Sequence, residues 1–136
     1  MFIRKVAAVI LINPEGKILI MKRSPEKKVH PNLWGLPSGG VEIDEELEKT
    51  AIRETFEETG KAISNIRRGP TLSVKVPGGV HEINYFLAQS NSPEVNLDKE
   101  HTEYKWVIPA EALNYKFGIP QAHVKKVMEK FGLLQI

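Results

Sequence analysis

The sequence predicts an α/β domain in which helices cover a mixed central sheet. Apolar, β-branched runs stand before and after one amphipathic helical segment, and a second helical segment lies near the C-terminus. Strands, a central helix, further strands and a final helix are the order typical of a layered domain with a mixed sheet. The length of 136 residues suits a single domain over residues 1–136 that buries one core.

Composition excludes several classes of protein. Hydrophobic residues make up 41% and charged residues 26% of the chain, and no biased tract predicts a disordered arm. The net charge of +2, without a Lys/Arg run longer than a pair, does not argue for nucleic acid. Cysteine is absent, which excludes disulfides, cysteine-ligated zinc and thiol catalysis. The apolar run 6–12 is too short to span a bilayer, and no signal-peptide cleavage site follows it. We therefore expect a cytoplasmic protein that does not enter a membrane.

The first two predicted strands are joined by a short turn. Residues 3–12 and 17–22 are rich in β-branched and apolar side chains, and the NPEG between them places proline and glycine where a turn uses them. We expect a β-hairpin. Residues 24–40 contain three prolines and three glycines, and this predicts a long loop with a short strand at 33–36. Loops of this length in compact domains tend to be functional.

Residues 44–59 have helical periodicity. At about 100° per residue, an apolar arc separates from an arc that carries Glu54, Glu57 and Glu58. Asp44 is a reasonable N-cap because its side chain can accept a backbone hydrogen bond. The apolar arc consists of Leu47, Ala51, Ile52, Thr55 and Phe56. The helix is therefore expected to pack one side and to offer carboxylates on another.

Strands are predicted again beyond the helix. Residues 71–76 and 81–88 are strand-like, and Pro77-Gly78-Gly79 between them is a hairpin turn signal. A polar loop, 89–102, leads to another strand at 104–108. These segments supply the remainder of the predicted sheet.

Two prolines predict the last two helices, because proline is tolerated in the first turn of a helix. Pro109 opens a short helix through Leu113, and Pro120 opens a terminal helix. The terminal helix has apolar side chains at helical spacing, namely Val124, Val127, Met128 and Phe131.

The acids of the central helix repel one another unless something balances them. Glu54, Glu57 and Glu58 stand at i, i+3 and i+4, where like charges are destabilising. The last two also lie close to Gly60, a helix stop at which the macrodipole disfavours negative charge. Taken alone, a glutamate-rich helix is most often a solvated surface.

The spacing from Gly39 onwards changes this interpretation. Seven residues carry the pattern, namely Gly39, Glu45, Arg53, Glu54, Glu57, Glu58 and Gly60. This resembles the Nudix box, the signature of a superfamily that hydrolyses nucleoside diphosphates linked to another moiety. At ordinary residue frequencies of about 7% each, a chance match in such a chain is on the order of one in a million. Segments 33–37 and 100–107 also resemble the family, so that the likeness spans most of residues 3–110.

Two positions depart from the box. Thr55 and Lys61 stand where the family usually has an apolar residue. Thr55 keeps a methyl group for packing, whereas Lys61 lies outside the helix, at the entry to the following strand.

The resemblance implies a Nudix-type α/β/α sandwich and a MutT-like hydrolase that uses Mg²⁺, with Mn²⁺ as an alternative. It implies that Glu54, Glu57 and Glu58 are the metal ligands, with a main-chain carbonyl near Ser38 or Gly39 as a further ligand. The chemistry suits these residues, because attack by water on a pyrophosphate requires neutralisation of its anionic oxygens. Magnesium prefers oxygen ligands and shares its shell among carboxylates, waters and phosphates.

The resemblance also implies roles for other residues of the site. Arg53 orients a box carboxylate such as Glu45, and Gly39 and Gly60 permit the tight loop and the helix end. The general base varies across the family. Glu100 is the first choice because it precedes Trp106 on a flexible loop, as the base or an extra ligand does in MutT-like members. Glu103 and Glu57 are the alternatives.

Basic and aromatic residues ahead of the box are candidates for contact with the substrate. Arg23 and Lys27, followed by Lys28 and His30, could meet phosphate or the leaving group. Trp34 could stack on a base, but its apolar neighbours favour a place in the core. The aromatic side chains Tyr85, Phe86 and Trp106 are likewise expected to pack.

The cues to the substrate conflict. Pro77 loosely resembles a proline of ADP-ribose-specific members, whereas residues 100–106 resemble members that act on dinucleoside polyphosphates or dATP-like triphosphates. The sequence supports a nucleoside di- or triphosphate derivative, including a damaged nucleotide. The alternatives are a non-catalytic nucleotide sensor, although sensors usually have damaged boxes, and a nucleic-acid-binding protein that uses Lys27 and Lys28. A homodimer is left open.

Overall fold

The computed structural model describes residues 1–134, in which four strands precede the first helix, three strands follow it and two further helices come last. The strands are β1 Phe2–Ile12, β2 Ile18–Arg23, β3 Trp34–Gly35, β4 Ser38–Gly40, β5 Ser64–Val76, β6 Gly79–Gln89 and β7 His101–Val107. The helices are α1 Leu47–Thr59, α2 Pro109–Ala112 and α3 Gln121–Lys130. The last two residues of the expected domain 1–136 lie outside the described residues.

The strands form one mixed sheet with β1 near its centre. Strand β1 runs parallel to β6 along its whole length, from Phe2 opposite Gly79 to Ile12 opposite Gln89. The other pairings between these strands are antiparallel. The order is β3-β2-β1-β6-β5, with β4 paired to β1 and β7 paired to β2. The parallel pair confirms the prediction of a mixed sheet.

Helices cover both faces of the sheet. On one face α1 packs through Ala51, and on the other face α2 and α3 pack through Ala112 and Val124. Strand β1 serves both sides, because Ala8 and Ile10 point to the α3 side and the alternate residues Ala7, Val9 and Leu11 point to α1. A strand buried on both faces has a continuous apolar run, which is why residues 6–12 lack alternation. The architecture is the expected α/β/α sandwich.

The predicted hairpin between β1 and β2 forms at its tip. The Asn13 N–H donates to the Lys17 carbonyl at 2.9 Å, and the Cα partners of the two strands are Ile12 and Ile18. Beyond the turn, β1 pairs with β4 and β6 while β2 pairs with β3 and β7. The predicted turn is therefore confirmed. The prediction that the two strands pair along their length is wrong, because each strand pairs with other strands beyond the turn.

Helix α1 begins later than the sequence predicts. Asp44 has φ of 62° and is not the N-cap, which is Glu46. The Glu45 carboxylate accepts hydrogen bonds from the Glu42 N–H at 3.1 Å and from Thr50 Oγ1 at 2.6 Å. These bonds hold the segment in a turn, so that the first helical residue is Leu47.

The buried side of α1 is also rotated from the predicted arc. The expected core residue Phe56 is 59% exposed. The buried residues are Thr50, Ala51, Thr55, Glu58 and Thr59. The inward face thus includes Glu58, whose carboxylate accepts a hydrogen bond from the Ser38 N–H.

Several strands are longer than predicted. Strand β5 starts at Ser64 rather than at residue 71, and β7 starts at His101 rather than at residue 104. The polar stretch at Arg67 and Arg68 lacks a strand pattern, yet it pairs with β6 across two register shifts. Strand β4 lies in the predicted loop, where Gly39 pairs with Ala7 of β1. Cross-strand pairing determines the strand conformation of these segments, and local propensity does not predict that pairing.

The C-terminal helices and the aromatic packing agree with the sequence. Proline opens α2, and α3 buries Val124, Val127 and Met128, while Phe131 is the residue that caps α3. Trp34, Tyr85 and Phe86 are buried, and Trp34 stands edge-on to Tyr115 with ring centroids 5.1 Å apart. Within residues 1–134 we find no helix with both the length and the apolar character needed to cross a membrane.

Candidate active site

Arg53 ties α1 to the segment that precedes it. Its Nε and Nη2 donate to the two carboxylate oxygens of Glu45 at 2.8 and 2.9 Å, a bidentate arrangement. Nη1 donates to Glu54 at 2.6 Å, and Nη2 also donates to the Gly40 carbonyl at 3.1 Å. The hydrogen bonds from Arg53, followed by that from Thr50, lower the pKa of Glu45 to about 2. The same bond to Glu45 raises the pKa of Arg53.

Glu54 is enclosed between Arg53 and the backbone of β4. A Cβ added at Gly39 would overlap the carboxyl group of Glu54, so a side chain at residue 39 would displace it. Burial raises the pKa of Glu54, and the hydrogen bond from Arg53 opposes this. Glycine at 39 therefore leaves room for the carboxyl group of Glu54.

The helix end is built around Gly60. Its φ of 73° lies in the left-handed region, which glycine adopts without steric cost, and its N–H donates to the Phe56 carbonyl at 2.8 Å. A Cβ at this position would lie 3.4 Å from Asn96. Gly60 thus ends the helix and lets the following loop approach.

Glu58 is the most enclosed of the three predicted metal ligands. It is 6% exposed, and its Oε1 accepts a hydrogen bond from the Ser38 N–H at 3.1 Å. Burial, together with the smaller effects of the charges on Glu54, Asp98 and Glu100, raises the pKa of Glu58 to about 9 despite that hydrogen bond. A carboxyl group in this environment binds either a proton or a cation.

The loop before β7 brings two further carboxylates to Glu58. One oxygen each from Glu58, Asp98 and Glu100 lie within 4.8 Å of one another. Asp98 Oδ1 lies 2.7 Å from His101 Nδ1 and accepts the Glu100 N–H at 3.2 Å. Sequence reasoning missed Asp98, although its position two residues before Glu100 in a polar loop was an available signal.

The three predicted ligands differ in their surroundings. Glu58 joins Asp98 and Glu100, and Glu54 contacts Arg53 while lying close enough to Glu58 for each carboxyl group to affect the pKa of the other. Glu57 is 54% exposed in its side chain, and its nearest cationic atom is Arg53 Nη1 at 3.4 Å. It lies at the solvent edge of the site.

The predicted base and a predicted substrate-binding residue contact each other. Lys27 Nζ donates to Glu100 Oε1 at 2.7 Å, and this hydrogen bond lowers the pKa of Glu100. The alternative base Glu103 pairs with Lys22 at 3.5 Å. Glu100 is therefore held as an anion at the edge of the acidic cluster.

A cleft leads away from the acids. A cavity of about 100 Å³ is bounded by Arg23, Ser38, Glu58 and His101 among others. Its residues His30, Ile83, Gly118 and Ile119 also line an open groove of about 860 Å³. Within residues 1–134 no carboxylate lines this groove, whereas it has four basic side chains: His30, Lys75, His81 and Lys116. Arg23 points its Nε to the Val29 carbonyl at 2.9 Å, beside the cavity.

A larger groove lies elsewhere. It measures about 920 Å³ and borders residues Val41 to Glu48, which include the start of α1, together with residues of β1, β5 and β6. Its lining includes Glu45 but not Glu54, Glu58 or Asp98. Because Glu58 lines the smaller cavity and meets Asp98 and Glu100, we place the candidate site there.

The donor set fits a hard divalent cation. The acidic cluster of Glu58, Asp98 and Glu100 offers carboxylate oxygens, the ligands that Mg²⁺ and Mn²⁺ prefer. The mutual repulsion of these acids contributes to the raised pKa of Glu58. A bound cation would replace that repulsion with attraction.

Comparison with protein families and with known sequences agrees with this geometry. The family model of the NUDIX domain matches residues 1–128. Nucleoside triphosphatase NudI of Escherichia coli O139:H28 is 30% identical over 135 residues, which cover 91% of this chain and 94% of that protein. The m7GpppN-mRNA hydrolase NUDT17 of Xenopus laevis is 32% identical over 102 residues. That match covers 68% of this chain and only 34% of the Xenopus protein.

Solved structures share the fold. The NUDIX domain of Shewanella oneidensis NrtR, complexed with ADP ribose, superposes with a TM-score of 0.80 at 20% identity, covering 96% of this chain and 90% of that one. A Caenorhabditis elegans Ap4A hydrolase has a TM-score of 0.78 at 26% identity, covering 95% of each chain. The MutT protein from Methanosarcina mazei Go1 has a TM-score of 0.75 at 22% identity, also covering 95% of each.

Proposed function

The chain belongs to the NUDIX family, and from this premise we propose that it hydrolyses a pyrophosphate bond in a nucleoside di- or triphosphate derivative with the help of a divalent cation. The observation that carries the proposal is the convergence of Glu58, Asp98 and Glu100 within 4.8 Å at the mouth of the cleft. Nearby, Arg53 holds Glu54, which lies one helical turn before Glu58 on α1.

We assign the ion to carboxylates from α1 and from the loop. The holding residues would be Glu54, Glu57 and Glu58, to which the structure adds Asp98 as a candidate. When bound, Mg²⁺ or Mn²⁺ supplies the positive charge that neutralises the pyrophosphate oxygens. Arg53 acts through the carboxylates that it orients, because its guanidinium is already engaged by Glu45 and Glu54.

Glu100 is the proposed general base. In hydrolysis the water oxygen forms a new bond to phosphorus, the bridging P–O bond breaks, and the leaving phosphate keeps the electron pair. Glu100 accepts the proton that the water loses. In the free protein its ion pair with Lys27 makes it a weaker base, since this contact lowers its pKa. A substrate phosphate that attracts Lys27 would release Glu100 for this task. Glu57 is the alternative base because it is exposed to solvent.

The cleft supports an anionic substrate with an apolar group. Arg23 and Lys27 flank the acidic cluster and are proposed to bind phosphate oxygens. The groove beyond them combines apolar residues, including Pro77, with the basic side chains of Lys75 and Lys116. The match to a nucleoside triphosphatase over 94% of its length makes nucleoside triphosphates the first substrates to test. Dinucleoside polyphosphates, ADP-ribose and damaged nucleotides follow.

The proposal is tested with a panel of these nucleotides, with Mg²⁺ or Mn²⁺, in ¹⁸O-labelled water. Product masses identify both the bond that is broken and the phosphorus that is attacked. We expect metal-dependent release of a phosphate-containing product by the wild type and about a thousandfold slower release by Glu58→Gln. Thermal stabilisation by nucleotide without turnover would favour a sensor, and absence of product across the panel would contradict the proposal.

A further inference from the structure

Lys61 is a charged residue buried directly after the end of α1. It is 6% exposed, and its Nζ donates to the main-chain carbonyl of Glu94 at 2.6 Å. Its backbone N–H donates to Thr59 Oγ1 at 3.2 Å. Burial lowers the pKa of Lys61, and the charge of Glu94 opposes this. Burying an ammonium group costs free energy, so the contact of Lys61 with the loop is expected to serve a purpose.

That contact is the first in a series that fixes the loop to the end of α1. Further along, the Asn96 N–H donates to the Thr59 carbonyl at 2.9 Å, and the Asp98 N–H donates to the Glu58 carbonyl at 3.2 Å. The intervening side chains, Val95 and Leu97, pack against the core on the α1 side. The alternation is that of an extended segment, so a slip by one residue would exchange its core-facing and helix-facing sides.

The acids of the candidate site depend on this register. Asp98 carries the last hydrogen bond of the series and also the carboxylate that meets Glu58. At the other end, the loop is held by Lys61 at Glu94 and by Trp106, whose Nε1 donates to the Pro93 carbonyl at 3.1 Å. Lys61 therefore binds the start of the extended segment, residues 93–98.

We propose that Lys61 is a positioning residue whose ammonium group fixes the register of residues 93–98 and thereby places Asp98 and Glu100 against Glu58. The inference rests on the proposed function, because its consequence is the binding of a divalent cation by these acids. A long apolar stem with a terminal donor suits this task, since it crosses the core edge and still reaches a carbonyl.

The matched test compares Lys61→Met with Lys49→Met, a change at an exposed lysine of α1. Methionine keeps the apolar stem and removes the donor. Thermal unfolding across a Mn²⁺ titration, without substrate, gives the ion concentration for half of the maximal stabilisation. We expect Lys61→Met to raise this concentration about tenfold, as loss of an outer-shell partner does. Lys49→Met should match the wild type.

Trp106→Phe supplies a second variant, because it keeps an aromatic ring and removes the N–H that bonds Pro93. It should also raise the half-point, which is the Mn²⁺ concentration that gives half of the maximal stabilisation. A lower melting temperature with an unchanged half-point in Lys61→Met would overturn the inference, because the lysine would then only support the fold. Should Lys61→Met fail to fold, an unchanged half-point in Trp106→Phe would overturn it instead. A wild type that does not respond to Mn²⁺ would contradict the proposed function itself.

Discussion

Glu45 and Glu58 belong to the same sequence signature, yet the structure places them in opposite electrostatic environments. Glu45 receives two hydrogen bonds from Arg53 and one from Thr50, which lower its pKa to about 2. Glu58 is buried beside Asp98 and Glu100, and its pKa rises to about 9. Within residues 1–134 the Glu45 carboxylate has a cationic partner, Arg53, and the Glu58 carboxylate forms no salt bridge. The contrast separates an acid that builds the site from an acid that is available to an ion.

The largest expected effect comes from Glu58→Gln. Hydrolysis should fall by about a thousandfold, the scale of losing several kcal/mol of charge stabilisation. The melting temperature without metal should barely change at pH 7, because Glu58 is protonated there and glutamine has the same shape. Steady-state kinetics and thermal unfolding measure the two quantities. Glu48→Gln, at an exposed acid of the same helix, is the control.

A large loss of stability in metal-free Glu58→Gln would break the comparison, since it would show that the Glu58 carboxylate already has a partner in the protein. Retained activity would remove Glu58 from the proposed set of ligands.

Arg53→Lys should have the next largest effect. Lysine keeps the charge but cannot make the bidentate contact with Glu45 while also bonding Glu54. We expect hydrolysis to fall by about 10–100-fold, as for other residues that orient a metal site. The melting temperature should fall even without metal. Activity near that of the wild type would show that charge alone, without the planar fork, is sufficient.

The pH dependence of metal binding sharpens the comparison further. The raised pKa of Glu58 contributes stability to the metal-free protein that is fully present below its ordinary pKa and is lost as the pH rises through about 9. Binding of Mg²⁺ must displace that proton. The Mg²⁺ concentration for half-maximal stabilisation should therefore fall between pH 7 and pH 9, by at most about tenfold per pH unit. Thermal unfolding at several pH values measures it, and Glu58→Gln should lose this dependence.

A pH-independent Mg²⁺ response in the wild type would mean that Glu58 is already ionised without metal. The environment attributed to the acidic cluster would then be wrong.

The smallest expected effect is that of Glu45→Gln. The neutral amide weakens the contact with Arg53, so the melting temperature should fall by a few degrees with metal present or absent. The lowered pKa of Glu45 gives it the opposite sign from Glu58: its contribution is present above the ordinary pKa and is lost as the pH falls towards 2. The difference between the wild type and Glu45→Gln should therefore shrink in acid. A difference that grows in acid would contradict this role.

Much of the fold was predictable because its signals are local. The apolar run of β1, the turn at Asn13 to Gly16 and the prolines of α2 and α3 each act within a few residues. Local signals did not predict the structure where contacts with residues distant in sequence determine it. Strand β4 has no strand pattern but pairs with β1, and Phe56 lies on the apolar arc but remains exposed because α1 turns Glu58 inwards.

By itself, the sequence determined the order of the elements, the family and the acids of α1, because periodicity and spacing along one helix depend only on the chain's own geometry. Only the tertiary structure decided which of those acids joins the acidic cluster. Asp98 reaches Glu58 because the loop docks on the end of α1 through Lys61, Thr59 and Glu58. Local sequence patterns do not report burial. Burial raises the pKa of Glu58, whereas hydrogen bonds from Arg53 lower the pKa of Glu45, so that two glutamates of one signature have different electrostatic environments.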